Sequence, residues 1–154
     1  MSRPKYETKA DLLNESRGIS LVASWAGGMP RKLPDFHAAD AAIVVGNEIV
    51  GFVEYKRRRM RWGDYPTIML SASKFLNIEA LARLGTDRKP MFVYFAVEDN
   101  AGDVWVVNLA ADGLKLRCEW GGRTVKTRDD LDVEPVVHLY IDQFRRVGNV
   151  ETGF

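Results

Sequence analysis

The sequence predicts an α/β fold, a mixed central β-sheet flanked by helices. Three observations point there. Two apolar strand candidates meet at a Gly46-Asn47 turn, which reads as a β-hairpin. The run Met91 to Val97 is apolar on both faces, as a central buried strand should be. Stretches of helical period precede and follow the hairpin.

The first helix is expected over about 6–26, with a break near Gly18. Leu12, Leu13, Ile19, Val22, Ala23 and Trp25 form its apolar stripe, and Gly27-Gly28 with Pro30 ends it. Residues 29–39 read as a loop. Ala41 to Val45 is a short strand, and Glu48 to Lys56 is the second arm of the hairpin. Residues 57–70 leave the sheet through basic and aromatic sequence. A second helix is expected from Ser71, its N-cap, to Leu84, with Gly85 as the stop. Lys89-Pro90 opens the central strand. Asn100-Ala101-Gly102 turns the chain into a strand at Val104 to Leu109. Further strands are expected near 114–120 and 136–144, with Gly121-Gly122 between them. Arg145-Arg146 reads as a solvated edge and 148–154 as a frayed tail. This organisation is one domain over 1–154, with a core at about 6–109 and a strand-rich extension at about 110–147.

Composition narrows the function. The chain has 154 residues, 46% hydrophobic and 28% charged, which suits a globular domain with its own core. No apolar run approaches the ~20 residues of a membrane helix, and the N-terminus does not read as a signal peptide. One cysteine, Cys118, forms no intrachain disulfide, and two histidines nearly exclude a Cys/His zinc site. A cytoplasmic setting is expected. There is no GxGxxG or GxxxxGK[ST] loop, so no nucleotide cofactor is expected, and no Gly-x-Ser-x-Gly elbow. The net charge is only +1, but Lys56 to Arg61 places five cations in six positions, and Asp129 to Glu134 four acids in six. Standing alone, a basic run is usually a solvated strand end.

The chemistry concentrates at Glu54-Tyr55-Lys56. Alternation puts Glu54 and Lys56 on one face at the end of an apolar strand. Charge there needs a partner or a metal. Asp40, fourteen positions upstream of Glu54, is the candidate partner. A three-residue loop, Gly46-Asn47-Glu48, pairs position 40 with 54, so that two carboxylates meet across the ladder. A two-residue loop pairs 40 with 53 and turns Asp40 away. Turn statistics favour the shorter loop, so a metal site requires the other register or a bulge.

The segment Asp40…Glu54-Tyr55-Lys56 resembles the signature of the PD-(D/E)XK nuclease superfamily, and the order of elements from about Tyr6 to Val97 resembles that superfamily's core. The literal Pro-Asp pair is Pro34-Asp35, which makes Asp35 a rival to Asp40. The resemblance implies a restriction-endonuclease-like core and hydrolysis of phosphodiester bonds in DNA. It implies Mg²⁺, with Mn²⁺ able to substitute, between Asp40, Glu54 and the backbone carbonyl of Tyr55. Lys56 would position the attacking water. Glu15, or else Glu7, matches the helical glutamate that many members add. Lys74 matches an auxiliary residue near the scissile phosphate. Arg57, Arg58, Arg59 and Arg61 follow the site and suit a DNA backbone. Trp62 and Tyr65 either stack on bases or cover the sheet edge. Small stand-alone members resemble junction resolvases or phage-type endonucleases, which implies a homodimer and a role in repair, recombination or phage DNA processing.

Other readings stay open. One is a non-catalytic nucleic-acid-binding module of the same fold. Another is an interaction factor that uses the acidic 129–134 segment. Glu54 and Lys56 could form a surface pair of little consequence. His138 reads as a packed strand residue, Cys118 as a small strand residue, His37 as a structural or exposed loop residue, and Trp25, Trp105 and Trp120 as core or sheet-face aromatics.

Overall fold

A computed structural model describes residues 9–35, 37–85, 91–122 and 133–154. Helix α1, Lys9–Trp25, leads into an antiparallel set of strands: β1 (Met29–Lys32), β2 (Ala41–Val45) and β3 (Glu48–Arg57). Strand β4 (Thr67–Ser71) and helix α2 (Ala72–Glu79), which continues as a 3₁₀ turn over Ala80–Leu84, carry the chain across to β5 (Phe92–Glu98). Then follow β6 (Asp103–Asn108), β7 (Leu116–Gly122), β8 (Val133–Tyr140) and β9 (Arg145–Asn149). The main sheet has the order β1-β2-β3-β5-β6-β9, and β4-β8-β7 form a second, three-stranded sheet. Strands β3 and β5 run parallel, and the other neighbours in the main sheet run antiparallel. The expected α/β fold with a mixed central sheet is therefore the one observed.

Alternation along β3 and β5 sorts side chains onto two faces. Val53, Tyr55, Tyr94 and Ala96 pack under α1, against Ile19, Leu21, Val22 and Ala23. Val93, Phe95 and Val97 face the other way, toward Ile78 of α2 and Ile68, Leu70, Val137 and Leu139 of the small sheet. Strand β5 is buried along both faces because both are covered.

Several expectations need correction. Helix α1 runs unbroken through Gly18. The glycine answers a packing demand, since a Cβ there would overlap the Tyr55 ring. Residues 29–32 are not loop but edge strand β1, where Pro30 is tolerated because an edge residue can do without one ladder donor. Residues 67–71 are not exit sequence but β4, paired with β8. Arg145 and Arg146 are exposed at a sheet edge, as expected, but the edge is a full strand that reaches Asn149. It is β9 on the main sheet, with Val147 buried and Arg146 held by Asp103 at 2.9 Å. The following turn closes through Asn149 and Gly153 rather than fraying. Of the two places expected for Trp120, core or sheet face, it takes the second, exposed on β7 of the small sheet. Ser71 does cap α2, accepting from the Lys74 amide at 3.4 Å. Glu7 and most of the acidic 129–134 segment lie outside the described residues.

Candidate active site

The hairpin resolves the question of register. The turn is the two-residue Gly46-Asn47, with Val45 opposite Glu48 and Val44 opposite Ile49, and Gly46 adopts φ 62°. The ladder then skips Val50, and Ile43 pairs with Gly51, Ala42 with Phe52 and Ala41 with Val53. This one-residue bulge converts the short-turn register into the long-turn register. One step beyond the ladder, Asp40 comes level with Glu54. Its backbone N–H donates to the Val53 carbonyl at 3.0 Å, and its Oδ2 accepts from the Tyr55 N–H at 2.7 Å.

Glu54 is 1% exposed. Its Oε1 lies 2.6 Å from the Lys74 ammonium and 3.5 Å from that of Lys56. Helix α2 delivers Lys74 to this point because it crosses the face of β3 that carries residues 54 and 56. Burial raises the pKa of Glu54 and the Asp40 charge raises it further, while Lys74 and Lys56 pull it back. Burial lowers the pKa of Lys56, as does the neighbouring Lys74, against the pull of Glu54 and Asp40. Burial also acts to lower Lys74, but its contact with Glu54 outweighs this and leaves it above the ordinary lysine value. Two carboxylates and two ammoniums thus share one corner, in which unlike charges favour and like charges oppose each other's ionisation.

The other candidates fall around this cluster. Glu15 lies on α1, on the opposite face of the sheet from Glu54, and lines a cleft of about 130 Å³ with Lys32, Asp35 and Asp40. Asp40, not Asp35, is the acid whose charge acts on Glu54. Among the described residues, no three His, Cys, Asp or Glu side chains converge on one point. Any cation would therefore rest on the Asp40–Glu54 pair together with backbone oxygen. Oxygen donors of this kind are what a hard divalent cation takes, and the mutual repulsion of the carboxylates is what it would relieve, so these residues fit Mg²⁺. Arg57 pairs with Glu98 at 3.3 Å, Arg61 with Asp64 at 3.6 Å, and Arg58 donates to the Met69 carbonyl at 3.0 Å. Trp62 stacks on Trp105 with ring centroids 4.4 Å apart, so it covers the sheet, whereas Tyr65 is exposed. His37 stacks on Phe52.

Sequence reasoning missed Glu98. It is buried, accepts from the Tyr55 hydroxyl at 2.6 Å and holds Arg57. Together these contacts brace the backbone that carries Glu54 and Lys56. The signal was a glutamate closing an apolar strand, obscured by the turn residues Asp99 and Asn100 that follow it.

Among curated proteins, none matches this chain. The protein-family description "Phage putative PDDEXK endonuclease" matches residues 1–147. That span takes in both helices, the bulged hairpin and all but the end of β9, and with it the Asp40, Glu54 and Lys56 constellation. The chain belongs to this phage-type PD-(D/E)XK endonuclease family, with a restriction-endonuclease-like fold.

Proposed function

We propose that this protein is a Mg²⁺-dependent endonuclease hydrolysing phosphodiester bonds in DNA, with Mn²⁺ able to substitute. The observation that carries the reading is the bulged hairpin, which sets Asp40 level with Glu54 beside Lys56. Asp40, Glu54 and the Tyr55 carbonyl would hold the cation, and Glu15 would contribute from the neighbouring cleft. When bound, the cation supplies positive charge against the negative charge that develops on the scissile phosphate. Lys56, whose pKa burial lowers, gives up a proton beside the attacking water more readily than a solvated lysine would. Lys74 opposes the effect of burial on Glu54, favouring its ionised form, and brings a second positive charge to the phosphate. Arg57, Arg58, Arg59 and Arg61 track the DNA backbone. Cutting is structure-directed or weakly sequence-specific, and it serves phage-type DNA processing, recombination or repair in the cytoplasm, with the protein acting as a homodimer. No helix among the described residues is long and apolar enough to cross a membrane.

The test is cleavage of labelled single-stranded, duplex, flap and four-way-junction DNA with Mg²⁺, with Mn²⁺ and with EDTA. Wild type is run beside Glu54→Gln and Lys56→Ala. The expected result is metal-dependent cutting that falls by about 10²-fold or more in each variant. Binding without cutting, unchanged by either substitution, would sink the catalytic reading in favour of a binding module.

A further inference from the structure

A second feature lies beyond the acidic corner. The small sheet buries one face on the core and turns the other outward. On that outer face Met69, His138 and Arg117 stand directly opposite one another across β4, β8 and β7. The loop after β3 arches over it with Arg58, Arg59 and Tyr65, and together they wall a groove of about 560 Å³. That volume falls within the roughly 300–1,000 Å³ typical of ligand sites.

The groove is preformed. Trp62 stacks on Trp105 and meets Phe144 edge-on, so the loop is pinned at its middle. The Asn100 amide donates to the Met60 carbonyl at 2.9 Å, and Arg58 ties the loop to β4 through Met69. The floor is fixed by His138, whose Nδ1 lies 2.8 Å from the Thr67 hydroxyl and whose Nε2 lies 2.8 Å from Glu119. Glu119 also pairs with Arg117 at 3.7 Å, so its charge is engaged. Glu119 offsets Arg117, so Arg58 and Arg59 give the groove its surplus of positive charge, while Met60, Met69, Pro66 and the exposed Tyr65 ring give it apolar walls.

We propose that this groove receives one unpaired nucleotide of the DNA substrate, its base against Tyr65 and Met69 and its flanking phosphates at Arg59 and Arg117. An aromatic wall beside cations is what an unstacked base and its backbone require, and a base inside a continuous duplex cannot reach it. The groove is tied to the candidate active site along the chain. Arg58 follows Glu54 and Lys56 along the chain, and β4 runs from the groove floor to Ser71, which caps the helix carrying Lys74. The proposal rests on the nuclease reading for its substrate and adds a selection for DNA with an unpaired position.

The test is fluorescence anisotropy in EDTA, so that binding is read without cutting. The probes are a fully paired duplex and the same duplex carrying one bulged 2-aminopurine. Wild type should bind the bulged DNA about tenfold more tightly and shift its 2-aminopurine emission. Tyr65→Ala and Arg117→Ala should remove that preference while leaving duplex affinity nearly unchanged, and Tyr65→Phe should keep it. Equal affinity for both DNAs, no DNA binding, or equal losses on both probes in the variants would overturn the proposal. A bulge preference with no metal-dependent cleavage would leave the groove standing and remove the nuclease reading instead.

Discussion

At Gly18 the side chain is a hydrogen because the Tyr55 ring fills the space a methyl group would need. Alanine is the better helix former by about 1 kcal/mol. Even so, Gly18→Ala should destabilise the protein by about 1–3 kcal/mol, the usual effect of forcing bulk into a packed site. Urea denaturation checks this, and an unchanged or higher midpoint would show that the ring can move aside. The same ring ends in a hydroxyl that donates to buried Glu98. Tyr55→Phe takes a donor from a buried carboxylate and should cost about 1–3 kcal/mol in the same assay. Among the site residues, Glu54 and Lys56 were legible in the sequence because their alternation is local. Glu98 was not, because its partners Tyr55 and Arg57 come from a strand over forty residues earlier.

For the elements, the bulge at Val50 matters most. Inserting one alanine between Asp40 and Ala41 leaves the hairpin and its bulge intact but moves Asp40 one position on, level with Tyr55 and away from Glu54. The expected result is a folded protein, by circular dichroism, whose metal-dependent cleavage drops by about 10²-fold or more, since misplacement of about 1 Å can cost that much. Undiminished cleavage would show that the register does not govern the site. Strand β9 offers a test by pH. The Asn149 hydrogen bond lowers the pKa of Asp103, burial opposes this, and Arg146 adds to the lowering. The folded state therefore releases this proton at a lower pH than the unfolded chain. The resulting stability is present above the ordinary aspartate pKa of about 3.9 and is lost as pH falls through the lower folded value. Asp103→Asn should thus lower stability by about 1 kcal/mol at neutral pH, with the difference closing in acid. A urea-midpoint difference that stays constant with pH would contradict this.

On the scale of the whole molecule, the net charge of +1 hides a strong asymmetry. The loop after β3 and the outer face of the small sheet together gather Arg58, Arg59 and Arg117. Affinity for the bulged DNA should therefore fall steeply with salt, and Arg59→Ala should reduce the slope of log K against log salt by about 1. Arg57→Ala should reduce it less, because Arg57 is already engaged by Glu98. Equal slopes for both variants would place the DNA path elsewhere.

The sequence by itself determined what local periodicity and turn chemistry can encode. That covers the α/β class, the central strand, the hairpin turn, the Ser71 cap, and the pairing of Glu54 with Lys56 on one face. Tertiary structure alone decided the rest. The bulge that aligns Asp40 depends on how β2 and β3 settle against α1 and β5, and nothing in Ile49-Val50-Gly51 announces it. Strands β4 and β9 are short and pair with strands distant in sequence, and β1 is a four-residue edge strand interrupted by Pro30, so propensity gave them little signal. The contact of Lys74 with Glu54 exists because the crossover between two parallel strands lays α2 over β3. Interactions that close across many residues leave no periodic trace in the chain, and here they set the register and charge of the site.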